Sequence, residues 1–212
     1  MNNYFKIFFL ILCYFNSAIG QNKVIYVNEN LELISEEDFN SKENNSDFLY
    51  SQYDADTLII KTKAKRHIYS TIKKSLKIRI TDYINSIVNS ENKIQENDII
   101  IINYYPGLDE CNKGDGNNFL REKYLNYSKE IKQIRNIKQF FFYKDASNIK
   151  KYGNKLVWYE DKHNLFQKLF FKIHYPCGSY LILYPNDTYV TFFGEYDIFS
   201  IFNELKVYQL NN

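Results

Sequence analysis

The sequence has few cysteines and no recognisable metal-binding pattern. Among its 212 residues are only three cysteines, at positions 13, 111 and 177. No Cys-x-x-Cys, His-Glu-x-x-His or other Cys/His cluster has the spacing of zinc ligands, so we expect no metal and no cofactor. The chain also lacks an internal repeat and any linker rich in Gly, Pro or Ser. One compact domain, with or without an N-terminal extension, is therefore expected.

No apolar run is long enough to span a membrane. The most apolar stretch, residues 7–15, follows Lys6 and precedes the small residues Ala18 and Gly20. This arrangement is typical of a signal peptide, so we predict that residues 1–20 are removed by cleavage near Gly20. The mature protein would then be exported, either to the periplasm or to the medium.

The charges are nearly balanced, with 27 basic and 25 acidic residues. Removal of Lys6 with the signal leaves 26 against 25, a net charge of about +1. This balance gives no indication of a nucleic-acid partner. We expect a monomer whose partner is an unidentified protein or small molecule.

Residues 21–97 are predicted to form an N-terminal extension packed on the core. KVIYV and LELI indicate a hairpin, Ser35 an N-cap, DTLIIKT a strand, and the apolar spacing after Ser70 an amphipathic helix. The polar side of that helix carries four basic residues, namely Lys73, Lys74, Lys77 and Arg79. This basic face is either a solvated helix surface or a contact surface for an anionic envelope or a partner.

Residues 98–212 are predicted to form an α/β core, with a central mixed sheet flanked by helices. The unbroken apolar run IIIINYY, residues 99–105, indicates a strand buried on both faces. The expected elements after it are a helix over about 119–135, the strand FFFYK, a short extension LVWYED, a helix KHNLFQKLFFK capped by Asp161, the hairpin SYLILY and TYVTFF, and a helix DIFSIFNELK.

This order of elements over about residues 98–206 resembles the thioredoxin fold, in particular the exported redoxin type. In that family a proline, usually after a cis peptide bond, starts the third core strand beside the active-site loop. Tyr175-Pro176 stands at the matching place, and YPNDTYVTFFG is similar to the redoxin hairpin. The resemblance therefore implies a thioredoxin-like core and makes Pro176 a candidate cis-proline.

The chain departs from the family at the active-site motif. Redox-active members carry Cys-x-x-Cys after the first core strand, whereas this chain has Cys111-Asn112-Lys113-Gly114. Without the second cysteine, a mixed disulfide at this motif is not resolved in the usual way. The resemblance thus implies a degenerate member, acting as a non-catalytic binding or structural module of the cell envelope.

Two cysteines remain after signal cleavage, and an even pair in an oxidising compartment favours one disulfide. The resemblance places Pro176 beside the Cys111 loop and so brings Cys177 near Cys111. Closing a loop of about 65 residues would stabilise the fold by roughly 4 kcal/mol. Two alternatives remain open: a redox-active pair in an atypical thiol-disulfide oxidoreductase, and two unpaired thiols.

Two histidines are candidates for a base that activates a thiol. His174 lies three residues before Cys177, but residues three apart in an extended segment point to opposite faces. His163 fits a solvent-facing position in the first turn of a helix. Neither is predicted to be catalytic, and Cys111 and Cys177 stay the only catalytic candidates.

Overall fold

The computed structural model describes residues 23–41 and 45–211 as a mixed α/β protein with two sheets. The predicted signal peptide lies outside these residues. The described chain divides into two compact units. The first contains residues 23–41 and 50–63, and the second contains residues 45–49 and 64–211.

Ten strands and five α-helices occur in the described residues. The strands are β1 Lys23–Val27, β2 Leu33–Ile34, β3 Phe48–Ala55, β4 Leu58–Lys65, β5 His67–Thr71, β6 Ile99–Tyr105, β7 Ile137–Tyr143, β8 Trp158–Glu160, β9 Ser179–Leu183 and β10 Thr188–Phe193. The helices are α1 Glu36–Asn40, α2 Lys74–Ile87, α3 Asn118–Gln133, α4 Leu165–Leu169 and α5 Ser200–Asn211.

The smaller sheet has the strand order β2-β1-β4-β3. The predicted hairpin of β1 and β2 is confirmed, and β1 also pairs in parallel with β4. Ser35 caps α1 as predicted, because its hydroxyl accepts the Asp38 N–H at 2.9 Å. At the other end of this helix, the buried Lys63 donates to the Asp38 carbonyl at 2.8 Å.

The larger sheet has the order β5-β10-β9-β6-β7-β8, with β6 inside it. Strand β6 is parallel to β7 and antiparallel to β9, while β10 is antiparallel to both β9 and β5. Every residue of β6 is buried, as its apolar run predicts. The carboxyl end of β6 and the start of β9 therefore lie side by side.

Helices cover both faces of the larger sheet. On one side, Ile100, Ile102 and Phe142 pack against Ile80 of α2 and Phe166 of α4. We refer to this side as the α2 face. On the other side, the alternate residues of β6 pack against α3 and α5, with the core formed by Ile99, Ile101, Tyr127, Ile131, Ile201 and Leu205. We refer to that side as the α3 face.

Two predictions for residues 45–97 were wrong or incomplete. The amphipathic helix begins at Lys74 rather than Ser70, because residues 67–71 form β5 and pair with β10 about 120 residues away. Strand β3 was not predicted, since its burial is low and its pattern is weak. The second compact unit includes β5 and α2.

Helix α4 is shorter than its apolar pattern predicts. His163 and Asn164 have φ values of 61° and 53°, so the α-helix starts only at Leu165. Asp161 nevertheless hydrogen-bonds to the amino end of α4. The Asp161 carboxylate accepts the N–H groups of Phe166 and Gln167, each at 3.0 Å.

None of the helices in the described ranges combines the length and apolarity that crossing a bilayer requires.

Candidate functional site

The two cysteines of the second unit meet at the carboxyl end of β6. The loop that follows β6 carries Cys111, and the turn before β9 carries Cys177. Their Cα atoms lie 5.2 Å apart and the two residues are paired as a disulfide across 66 positions of sequence. This separation is within the range that disulfides require. Cys111 is exposed and Cys177 is half-buried.

Asp109 holds the two cysteine segments together independently of the sulfur atoms. Its Oδ2 accepts the Cys177 N–H at 3.0 Å and lies 3.2 Å from His174 Nε2. Its Oδ1 accepts the Asn112 N–H at 2.9 Å, within the loop that carries Cys111. One carboxylate thus fixes both sides of the pair.

Asn112 fixes the Cys111 loop against the protein interior. Its side chain is buried and donates to the Gly107 carbonyl at 2.8 Å, while its own carbonyl accepts from Lys151 Nζ at 2.5 Å. Gly116 is needed in the same loop because a Cβ atom there would overlap the backbone of Lys151. The loop is therefore held by interior contacts on both sides of Cys111.

The cis-proline prediction for Pro176 is not met: no peptide bond in the described residues is cis. The chain reverses one residue later instead. Cys177 has a φ of 67°, and the Gly178 N–H donates to the Pro176 carbonyl at 2.8 Å. A tight turn of this kind, with a left-handed residue at its centre, redirects the chain without a cis bond.

A cavity of about 270 Å³ opens beside the disulfide on the α3 face. Aromatic side chains form much of its wall, and polar groups stand among them. The lining includes Tyr105, Tyr124, Tyr152, Trp158, Tyr196 and Leu120. The indole Nε1 of Trp158 is buried and has no hydrogen-bond partner among the described residues.

Asn103 organises the polar part of this wall. Its Oδ1 accepts from Gln139 Nε2 at 2.8 Å and from the Tyr127 hydroxyl at 3.2 Å, and its Nδ2 donates to the Tyr196 oxygen at 2.9 Å. Asn103 lies within a strand that is otherwise apolar and aromatic, and it is buried. Its hydrogen bonds satisfy an amide that would otherwise be costly to bury.

Burial sets the protonation of the groups around the cavity. It raises the pKa of Tyr105 and of Tyr124 to about 12, so both phenols are neutral hydrogen-bonding groups at neutral pH. Burial also lowers the pKa of Lys151, an effect that the charge of Asp109 partly opposes. The ammonium group of Lys151 lies 5.2 Å from the centre of the Tyr152 ring.

Sequence reasoning missed two acidic residues of this site, Asp109 and Glu195. One carboxylate oxygen of Glu195 and the two cysteine sulfurs all lie within 4.8 Å of one another. Asp109 stands two positions before Cys111 and three before an Asn, a pattern typical of a polar turn that could have indicated its role. Glu195 had no such signal, because it reaches the site from the end of β10.

The histidines differ in their positions. His163 is exposed, as expected. His174 contacts the same carboxylate that binds the Cys177 N–H, so the two residues share a partner although they are three positions apart.

The basic face of α2 is smaller than its sequence predicts. Lys77 Nζ donates to the carbonyls of Tyr184 and Pro185 and forms an ion pair with Asp187 at 2.9 Å. These contacts hold Lys77 against the turn between β9 and β10. An anionic surface would therefore meet mainly Lys73, Lys74 and Arg79, which are exposed.

Comparison of the chain with protein-family models, with curated proteins and with solved structures finds no match to any of the three.

Proposed function

We propose that this chain is an exported, thioredoxin-like protein that binds a small, partly apolar ligand or side chain in the cavity beside the Cys111–Cys177 disulfide. The bridge stabilises the wall of the cavity and is not catalytic. The cavity itself carries this proposal.

The arrangement of the larger sheet supports a thioredoxin-like core. Strands β6 and β7 are joined through α3 as a parallel pair, and the hairpin β9–β10 follows α4. Because β9 pairs with β6, the start of β9 lies beside the loop after β6, which is the neighbourhood that the resemblance implies. The trans Tyr175–Pro176 bond and the missing second cysteine separate this chain from redox-active members.

The chemistry of the cavity wall supports binding. Its volume of about 270 Å³ is just below the roughly 300–1,000 Å³ of most ligand sites, which suits a small ligand, and aromatic walls with a few polar groups are the usual composition of such sites.

A titration with two probe molecules, indole and phenol, tests the binding proposal. We expect both to shift the amide signals of cavity residues in protein-detected NMR. Leu120→Trp, which fills the cavity, should abolish the shifts, whereas Leu125→Trp, on the same helix but lining a different cavity, should retain them. Absence of any shift, or equal shifts in both variants, would refute the binding role.

Export is tested separately by the mass of the protein recovered from its native host. The proposal requires a chain that begins near Gln21 and is found outside the cytoplasm. A chain that still begins at Met1 and remains in the cytoplasm would contradict export.

A thiol-disulfide oxidoreductase is the second candidate, because the sulfur-bearing Cys111 is exposed to solvent. A redox titration against glutathione separates it from a structural bridge. A potential below about −300 mV supports a structural disulfide, and one between about −230 and −120 mV supports the enzyme.

A further inference from the structure

We propose that reduction of the Cys111–Cys177 disulfide creates a zinc site whose third protein ligand is Glu195. The inference does not depend on the proposed ligand in the cavity. A carboxylate oxygen of Glu195 and both cysteine sulfurs lie within 4.8 Å of one another. Thiolates and carboxylates are ligands that Zn²⁺ takes in proteins, at about 2.3 and 2.0–2.2 Å respectively.

Glu195 is available as a ligand. Its side chain is exposed, and it makes no hydrogen bond or ion pair with any residue in 23–41 or 45–211. Other acidic groups near the site are already engaged. Asp109 binds Cys177 and Asn112, and Asp197 pairs with Lys123 at 2.8 Å.

The backbone around Glu195 is fixed on both sides. Before it, Gly194 adopts a φ of 81°, and its N–H donates to Ser179 Oγ at 3.4 Å. After it, the Tyr196 hydroxyl binds the buried Asn103 at 2.9 Å. The backbone of Glu195 is therefore already ordered, so binding has to order only its side chain.

The two sulfurs stay close when their bond is opened, because other contacts hold their segments. Asp109 bonds both to the Cys177 N–H and to the Asn112 N–H, next to Cys111. Asn112 is in turn bound to the Gly107 carbonyl and to Lys151. None of these contacts involves a sulfur atom, so the reduced site keeps its shape.

The chemistry balances with a phosphine as the reductant. The S–S bond accepts two electrons from the phosphine, which becomes a phosphine oxide with the oxygen of one water molecule. The two protons of that water convert the sulfurs to thiols. Zn²⁺ then binds two thiolates and the Glu195 carboxylate, and releases the two thiol protons. Water completes the tetrahedral set, as in zinc sites that have three protein ligands.

Zinc affinity of the reduced full chain tests the inference, measured by competition with a chromophoric chelator. Cys13→Ser is included in every protein, so that only the two cysteines of the site remain. We expect one Zn²⁺ per reduced chain and none per oxidised chain. Replacing zinc with Co²⁺ should give thiolate-to-cobalt absorption, which reports sulfur ligation directly.

Single substitutions identify the ligands. Cys111→Ser and Cys177→Ser should abolish tight binding. Glu195→Gln should weaken it at least about tenfold while leaving the circular dichroism spectrum unchanged. Asp197→Asn is the matched control, because it removes a carboxylate two positions away that pairs with Lys123 instead. It should bind like the parent protein.

Failure of the reduced parent protein to bind zinc would overturn the site altogether. Unchanged affinity in Glu195→Gln, or equal losses in Glu195→Gln and Asp197→Asn, would remove Glu195 from it and overturn the inference as stated.

Discussion

The two faces of the larger sheet belong to the same strands, but their buried polar groups have different kinds of hydrogen-bond partners. On the α2 face, Asp161 is the buried polar centre, where it binds the amino end of α4 and the Tyr104 hydroxyl. On the α3 face, the neutral Asn103 binds three side chains beside a cavity. On the first face the carboxylate is satisfied mainly by backbone groups. On the second face the amide is satisfied by side chains alone, next to the cavity that both cysteines line.

The largest effect on stability is expected in the core of the α2 face. Phe142 is fully buried and its ring centre lies 4.6 Å from that of Phe166. Phe142→Ala should lower the free energy of unfolding by about 3–5 kcal/mol, because it removes apolar contacts and leaves a cavity. Chemical denaturation measures this loss. Phe119→Ala, at a side chain that is 75% exposed, is the control and should change stability by less than about 0.5 kcal/mol.

Removal of the disulfide at the edge of the α3 face should have the next largest effect on the free energy of unfolding. Cys111→Ser with Cys177→Ser removes a constraint on the unfolded chain and should cost about 2–4 kcal/mol. Denaturation of the parent protein with and without a reductant should show a similar difference. The double variant should be insensitive to the reductant, and a parent protein equally insensitive would mean that the bridge does not form.

The polar network of the α3 face is expected to rank third. Asn103→Leu leaves Gln139 and the hydroxyls of Tyr127 and Tyr196 without their partner. A loss of about 1–3 kcal/mol follows from the cost of unpaired buried groups. Tyr196→Phe removes one of the same bonds and should cost about 1 kcal/mol. Equal losses in the two variants would contradict a network centred on Asn103.

The smallest expected effects are changes of stability with pH, and their sign differs between the two faces. Burial raises the pKa of Asp161 above 3.8, although the bonds from Phe166 and Gln167 oppose this. The folded state then takes up its proton first, so stability from this group rises as pH falls through the raised pKa. The parent protein should gain stability relative to Asp161→Asn over that range in acid denaturation series.

Asp197 should show the opposite sign. The hydrogen bond from Lys123 holds the pKa of Asp197 below 3.8, so its contribution is present above pH 3.8 and is lost as pH falls below it. Because the carboxylate is 61% exposed, the loss should stay under about 1 kcal/mol. Asp197→Asn should flatten this part of the plot of stability against pH. Equal slopes in the parent protein and in Asp197→Asn would show that Asp197 does not cause the loss.

Local patterns predicted the elements whose neighbours are near in sequence. The apolar run of β6, the cap at Ser35 and the hairpin of β9 and β10 each depend on contacts within a few residues. Strand β5 was missed because its partner, β10, is distant along the chain. The register of long-range pairing is set by tertiary packing and leaves no periodic signal in the segment itself.

The sequence by itself determined the alternation of strands and helices, because the spacing of apolar positions along consecutive residues differs between the two. It also determined that only two cysteines follow the predicted signal peptide. Only the tertiary structure decided that Asp109 hydrogen-bonds to both cysteine segments and that Glu195 lies beside the sulfurs. It also decided that Lys77 binds the turn between β9 and β10. Such contacts join residues up to about 110 positions apart. They depend on directions in space, which a linear pattern does not encode.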